Sequence, residues 1–577
     1  MNKKNINISL STDEYDAIVV GSGISGGWAA KELTEKGLKT LVLERGRPIE
    51  HVTDYVTEHK APWEFELRGR IKRETAEKDY KIQARTGQFK ADAEHWFMKD
   101  SESPYVEDKP FTWIRGNHVG GRSLMWGRHC YRWSDLDFEA NMRDGNGVDW
   151  PIRYADIAPW YDYVEKFAGI SGEKLGLAHF PDGQFQPGMP LNVVEKHLRE
   201  QIIKNFPERI LTIGRVAILT EALPGRAACH YCGPCIRGCS TGSYFSSQSS
   251  TLPAAVATGN LTVRPYSIVH SLVYDEASDK VTGVQVIDAE TNEAIEFKAK
   301  VVFLCASTLG STQILLNSKS NRFPDGLANS SGELGHNLMD HHFKVGGNAV
   351  VEGFDDRYFY GNRPTGFYIP RFRNINRETR RSDFVRGYGY QGSARRQNWG
   401  RGANMPGFGA DLKHALRDPG PWTIGMTAFG ECLPRHGNQV SLDDQVTDKW
   451  GIPALRINAS WGPNEMAMRK DMAASAAEML ESAGYKNVRT YDNHVEDGIG
   501  AEFGLGIHEM GTARMGRDPK TSVLNGWNQA HDVSNLFVTD GAAMASSGCQ
   551  NPSITYMALT ARAVDYAVEE MKKGNIT

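Results

Sequence analysis

The chain has 577 residues, 40 % apolar and 24 % charged, an ordinary composition for a large folded protein. Its net charge of −4 offers no basic surface to draw it to nucleic acid. A mean hydropathy of −0.46 with no apolar run approaching about 18 residues excludes a bilayer-spanning helix.

Met1–Asp16 is polar and lacks the apolar core of a secretory signal, so the expected location is the cytoplasm. Export as the passenger of a signal-bearing partner would place the protein in the periplasm instead. Asp16–Val20 is a short β-branched run that reads as a strand. Gly21-Ser22-Gly23-Ile24-Ser25-Gly26 follows at once, and Trp28, Ala29, Ala30 and Leu33 give a helical pattern ending near Gly37. Thr40–Leu43 is a second strand closed by Glu44-Arg45. This β-α-β unit gives the glycine pattern the context that makes it a dinucleotide site. Gly21 permits the tight turn, Gly23 lets backbone approach a pyrophosphate, and Gly26 allows close helix–strand packing. The helix N-terminus offers free N–H groups to the phosphates, and Glu44 stands where a carboxylate binds ribose hydroxyls.

Residues 50–110 are polar and loosely helical, and Gly116–Gly127 reads as a glycine-rich loop. Helical patterns follow within Asp149–Gly172 and at Glu195–Asn205. Asn260–Phe297 alternates like an antiparallel meander, with turns at Ser278-Asp279 and Glu290-Thr291-Asn292. Lys300–Ala306 is a buried strand followed by a helix at Ser311–Leu316. Residues 346–460 read as strands and loops rich in aromatics, Met466–Ser482 as a helix, Leu536–Asp540 as a strand, and Pro552–Lys573 as a long last helix.

Four of the eight cysteines, Cys229, Cys232, Cys235 and Cys239, fall within eleven residues. Their spacing is that of a bacterial ferredoxin run, which holds cubane clusters. Structural zinc also takes four thiolates, and a reduced, metal-free loop is the plainest alternative. The expectation is an iron–sulfur cluster, 3Fe-4S or 4Fe-4S, passing single electrons to an external acceptor.

Taken together, the motifs resemble the glucose–methanol–choline (GMC) family of FAD-dependent oxidoreductases. The residues that carry the resemblance are the Gly21–Gly26 unit, Gly120-Gly121-Arg122-Ser123 with Trp126-Gly127, the Val301–Ala306 strand leading to Ser311, Gly335-His336-Asn337 with Asp340-His341, His508–Gly516, Val538-Thr539-Asp540-Gly541, and Asn551-Pro552. The Arg122–Trp126 loop and the cysteine run are most similar to bacterial sugar dehydrogenases of the glucoside 3-dehydrogenase and gluconate dehydrogenase type. The resemblance implies an α/β fold, α+β overall, with a Rossmann-like FAD-binding domain interleaved with a substrate domain on a mostly antiparallel sheet. It assigns residues 12–50, 110–170, 225–345 and 500–577 to the FAD domain, and 51–109, 171–224 and 346–499 to the substrate domain. It further implies FAD contacts from Gly21, Gly23, Ile24, Ser25, Gly26, Glu44, Arg45, Gly121, Arg122, Ser123, Trp126, Gly127, Ala306, Ser307, Asp540, Gly541, Asn551, Pro552 and Ser553.

By the same match His508 is the base that takes the hydroxyl proton, a role an imidazole fits near neutral pH. Asn551 orients the substrate oxygen, although an Asn before Pro at a helix start is also a good N-cap. Gln391, among aromatics at 388–399, is the candidate substrate contact. His129 beside Gly127 raises a covalent flavin link as the less favoured arrangement. The implied reaction is oxidation of a sugar or glycoside secondary alcohol, the ring C3 hydroxyl favoured. Its electrons would go to a cytochrome or quinone, with a small helper subunit as in related systems. An oxygen-using pyranose or glycoside oxidase with an empty or zinc-filled cysteine loop is the competing reading.

Overall fold

The computed structural model describes residues 8–359, 361–493 and 502–576. Residues 1–7 of the N-terminal segment and the 499/500 domain boundary therefore lie outside the described residues. Among the described residues no helix is long and apolar enough to cross a membrane.

Two sheets organise the chain. The first has seven strands, in the order 261–264, 40–43, 8–20, 294–304, 280–288, 267–275, with Leu536–Val538 also paired to 294–304. Ala17–Val20 runs parallel to both Thr40–Leu43 and Val301–Leu304, and Val302–Leu304 runs parallel to Leu536–Val538. Ala17, Ile18, Val19 and Val301–Leu304 are fully buried, as strands covered on both faces require. Helix Ile24–Glu35 packs against the C-terminal helix Ser553–Lys572, which in turn packs against helix Tyr154–Ala168.

The expected meander at 260–297 differs in its first strand. Leu261–Arg264 joins the parallel edge beside Thr40–Leu43, and only 267–275, 280–288 and 294–304 form the antiparallel part. Ala294–Leu304 is one strand, antiparallel to its neighbour over its first half and parallel to the strand that opens the chain. Asp279 and Asn292 adopt positive φ at the two predicted turns, a conformation Asp and Asn tolerate best after Gly.

The second sheet has six antiparallel strands in the order 486–492, 345–351, 422–430, 388–396, 367–369, 212–213. Helix Pro463–Ser482 covers one face. Strand Trp422–Gly430 alternates between buried and half-buried positions along its length. Its pairing with Tyr388–Arg396 sets Tyr390 opposite Ala428 and Gln391 opposite Thr427. Tyr390 sends its hydroxyl into the helix-covered core, onto Met472 O at 2.5 Å. The period of two then turns Gln391 and Phe429 to the other face.

Strands of the first sheet come from the ranges expected for the FAD domain, apart from a start at Ile8 instead of residue 12; those of the second come from 171–224 and 345–499. Segment 51–109 touches both ranges: Val106–Glu107 runs parallel to Arg456–Ile457. Tyr55, Tyr80, Trp96 and Phe97 form a small core with Ile114, Leu124 and Met125, beside the glycine-rich loop and apart from the antiparallel sheet.

Candidate active site

Parallel strands that end at one edge of a sheet deliver their following loops to one place. The turn after Val20 brings Gly21, with φ +93°. A Cβ on Gly21 would stand 2.6 Å from Cys305 O, and one on Gly26 would stand 1.9 Å from Gly21 O. Both glycines are required by backbone packing. Gly23 is different: nothing lies within 4 Å of its Cβ direction, because that direction opens into a cavity. Gly23 precedes helix Ile24–Glu35, whose first N–H groups are free to bind an anion there. At the end of the second strand Glu44 accepts from Ser22 N and Oγ, at 3.1 and 2.6 Å, and from Gly46 N at 2.9 Å. Burial raises its pKa while these bonds oppose the rise.

The cavity has a volume of about 560 Å³ and runs from this turn to the antiparallel sheet. Of the residues expected to bind FAD, it is lined by Gly21, Gly23, Ile24, Ser25, Glu44, Arg45, Gly121, Arg122, Ser123, Trp126, Gly127, Ala306, Ser307, Asp540, Gly541, Asn551 and Ser553. Gly26 and Pro552 do not reach it. Gly26 serves helix–turn packing, and Pro552 is the N-cap of the last helix. Buried polar atoms of Arg45, Trp113, Arg115, Arg128 and Tyr556 on the cavity wall have no protein partner. A cradle open at Gly23, an acidic group at the second strand end and unpartnered polar atoms along the wall fit a large, polar dinucleotide.

On the wall itself, Arg122 donates to both oxygens of Glu509, at 3.1 and 2.8 Å. Asp540 accepts from Ser311 Oγ at 2.5 Å and from Ala542 N at 3.0 Å, and burial raises its pKa to about 6. Asp340 accepts from Gly506 N and His508 N at 2.9 and 3.0 Å; burial and the nearby Glu509 charge raise it to about 8.

His508, Asn551 and Gln391 line the same cavity. Asn551 does not cap the last helix, whose N-cap makes no side-chain bond. Its Nδ2 lies 3.3 Å from His508 Nε2, and its Oδ1 accepts from Gln391 Nε2 at 2.7 Å. His508 Nδ1 is 2.8 Å from His341 Nδ1, and His341 Nε2 is 2.9 Å from Gly548 O. Burial, followed by repulsion from His341, Arg122 and His129, pushes the His508 pKa well below its ordinary value. His129 also borders the cavity, with Nδ1 2.9 Å from Tyr131 Oη, and burial lowers it to about 3.

The four clustered cysteines sit elsewhere. Cys229, Cys232, Cys235 and Cys239 border one small space of about 20 Å³ together with Tyr244 and Asn362. Cys229 Sγ accepts from Tyr231 N at 3.4 Å, and Cys239 Sγ lies 3.3 Å from Thr241 Oγ1. Among the described residues no three His, Cys, Asp or Glu side chains form a metal-binding group. The thiols meet in one place, but their arrangement does not support the expected iron–sulfur cluster.

Residues the sequence did not single out also line the cavity, notably Ser22, Phe343, Lys344, Phe429, Glu509 and Tyr556. Glu509 falls inside the His508–Gly516 block and Phe343 close to Asp340-His341, a signal that was available. Phe429 carried none, because only its pairing with the Gln391 strand turns it inward.

The chain matches the GMC oxidoreductase family over residues 15–343 and again over 434–560. It is 30 % identical to 2-methyl-1,2-propanediol dehydrogenase of Mycolicibacterium austroafricanum, over 97 % of this chain and 96 % of that one. It is 24 % identical to the fructose dehydrogenase large subunit of Gluconobacter japonicus, covering 98 % and 100 % of the two chains. It is also 24 % identical to the gluconate 2-dehydrogenase flavoprotein of Pantoea cypripedii, covering 96 % and 94 %. The crystal structure of pyridoxine 4-oxidase from Mesorbium loti superposes with a TM-score of 0.58 at 18 % identity, over 96 % of this chain and 99 % of that one, and shares the fold. The chain belongs to the GMC oxidoreductase family, an FAD-binding family of enzymes that act on CH–OH groups.

Proposed function

We propose that the protein oxidises a secondary alcohol of a sugar or glycoside, with His508 as base and Asn551 holding the substrate oxygen. The observation that carries this reading is the pairing of His508 Nε2 with Asn551 Nδ2, 3.3 Å apart, on the wall of the cavity that also holds the glycine turn. When bound, FAD supplies the hydride acceptor, flavin N5. The backbone of Gly23, Ile24 and Ser25 would hold its pyrophosphate, and Glu44 its ribose. The Arg122–Gly127 and Asp540–Gly541 segments, with Ser553, would surround its ring.

The remaining steps fall to the chain. A substrate hydroxyl lying between the two side chains accepts from Asn551 Nδ2 and donates to His508 Nε2. His508 takes that proton as the carbon gives up its hydride, so the alcohol becomes a carbonyl with charge balanced on both sides. Asn551 cannot take a proton, which leaves His508 as the sole base of the pair. The positive end of helix Ser553–Lys572 faces the cavity through Ser553 and favours negative charge there. Relatives that act on a propanediol, fructose and gluconate support a polyhydroxylated substrate, and the resemblance favours a ring C3 hydroxyl.

Electron exit to an external cytochrome or quinone, with a helper subunit, completes the proposal. Two relatives are named as the large subunit or flavoprotein of their enzymes. Because the Cys229–Cys239 thiols do not form a ligand set, no electron step is routed through them. Iron and acid-labile sulfide measured per chain check this, and near-stoichiometric amounts of both would overturn it. Bleaching of the flavin by sugar in air without peroxide supports an external acceptor; stoichiometric peroxide points to the oxidase reading. For the catalytic assignment, His508→Ala should slow substrate-driven flavin reduction by roughly 10²-fold or more with FAD still bound. Unchanged reduction would refute it.

A further inference from the structure

We propose that His341 is a positioning residue that sets the tautomer of His508, keeping Nε2 of that imidazole unprotonated, as an acceptor on the substrate side. This rests on the reading of His508 as the base.

A hydrogen-bond chain through His508 has one fixed end. Gly548 O is a carbonyl and only accepts, so His341 Nε2, 2.9 Å away, carries a proton. Burial lowers the His341 pKa to about 4, so at neutral pH the ring holds one proton and its Nδ1 is a lone pair. That lone pair lies 2.8 Å from His508 Nδ1. Two bare nitrogens at that distance would repel, so His508 Nδ1 carries the proton and donates it. A neutral His508 protonated at Nδ1 is bare at Nε2. At Nε2 the chain meets Asn551 Nδ2, a donor, at 3.3 Å, and Asn551 Oδ1 accepts from Gln391 Nε2 at 2.7 Å.

All four bonds therefore run in one direction, from Gln391 to Gly548, and the carbonyl end forbids reversal. A carboxylate could have played the part of His341, but Asp340, which adjoins His508, is otherwise engaged. Both Asp340 oxygens accept backbone N–H groups, from Gly506 and from His508 itself. The imidazole is thus oriented by a neutral acceptor that fixes the tautomer without adding a negative charge beside it. Gln391 plays the matching part at the other end: it holds the Asn551 amide with its N–H₂ toward His508 and the substrate oxygen.

The test compares two variants of the FAD-loaded enzyme by stopped-flow reduction with substrate. His341→Leu keeps volume but removes the acceptor. His341→Asn puts an amide oxygen near the former Nδ1 and an N–H₂ toward Gly548 O. The expected result is that the Leu variant binds FAD, keeps substrate Kd within about twofold, and reduces flavin roughly 10²-fold more slowly. The Asn variant should recover at least tenfold of that loss, by roughly the worth of one restored hydrogen bond. A Leu variant as fast as wild type, or an Asn variant as slow as Leu, overturns the proposal.

A second measurement does not depend on either variant folding. Histidine ¹⁵N shifts of the wild-type holoenzyme, with His508 assigned by its loss in His508→Ala, should report Nδ1 protonated and Nε2 bare. The opposite tautomer overturns the proposal. Normal reduction by His508→Ala would instead remove the base assignment beneath it, so the two failures are distinguishable.

Discussion

Gly23→Ala and Gly26→Ala change the same glycine turn by one methyl each, and the geometry predicts opposite defects. Gly23 has extended backbone with negative φ, −67°, so alanine meets no left-handed penalty there, and its new Cβ would meet no atom within 4 Å. The FAD-free protein should therefore unfold within about 1 kcal/mol of wild type, the usual range for a compatible Gly-to-Ala change. The methyl enters the cavity at the point proposed for the pyrophosphate, however. Overpacking a close contact costs about 1–3 kcal/mol, which weakens FAD binding roughly 10- to 10²-fold. In Gly26→Ala the Cβ would stand 1.9 Å from Gly21 O and 2.7 Å from Gly21 C, both backbone atoms inside the turn. Relief requires moving the helix off the strand, and the loss of folding stability should exceed about 3 kcal/mol. Denaturant unfolding of flavin-free protein and fluorescence titration with FAD separate the two effects. Wild-type FAD affinity in Gly23→Ala would refute the assignment of this cavity end to the pyrophosphate. So would Gly26→Ala protein of normal stability, for the packing argument.

Three further outcomes are expected. Arg122→Met leaves the Glu509 carboxylate, 1 % exposed, without its ion-pair partner; stability should drop by about 3 kcal/mol in denaturant unfolding, and the added change Glu509→Gln should restore part of it. Gln391→Leu releases the Asn551 amide, so flavin reduction by substrate should slow about tenfold with FAD still bound, the scale of one lost hydrogen bond. Asp340 holds its proton to about pH 8 in the folded protein, whereas its ordinary value is 3.8. Between pH 6.5 and 8 the folded state therefore binds the extra proton, and stability should fall as pH rises, by up to about 1.4 kcal/mol per pH unit. The buried imidazoles of His118 and His341, lowered to about 3 and 4, act in the opposite direction only below their ordinary 6.5. Asp340→Asn should flatten the slope above pH 6.5; an unchanged slope would place the proton elsewhere.

What was legible in the sequence was local. The β-branched run ending at Val20, the glycines after it and the apolar stripe of the next helix specify one another within about thirty residues, with no help from distant chain. Even there pairing extended the strand: polar Ser9 is in it because it sits opposite Ile295, and neighbouring backbone overrides a weak propensity. Segment 51–109 is hard to place from sequence for a related reason. Its anchors, Tyr55 and Trp96, are isolated aromatics in a polar stretch without periodicity, so nothing local says which domain they pack against. The cysteine spacing names ligand types but not their convergence. Thiols that fall around a single space still lack a ligand arrangement, because the spacing leaves the loop backbone free.

The partners of His508 were hidden for a stronger reason. Gln391 lies 160 residues from Asn551, and His341 lies 167 from His508. Each is delivered by its own element: Gln391 by the parity of an antiparallel strand, His341 by the loop before Val345–Val351. Strand ends account for the rest of the site. Val20, Leu43, Leu304 and Val538 are the last residues of parallel neighbours, so Gly21, Glu44, Ala306 and Asp540 arrive at one edge from four distant parts of the chain. A cofactor lying along that edge touches all four at once, while the second sheet reaches the same cavity only through the few side chains its parity turns inward. Exchange of residues on that inward face should therefore change which alcohol is oxidised, and exchange at the parallel edge should change whether FAD binds at all.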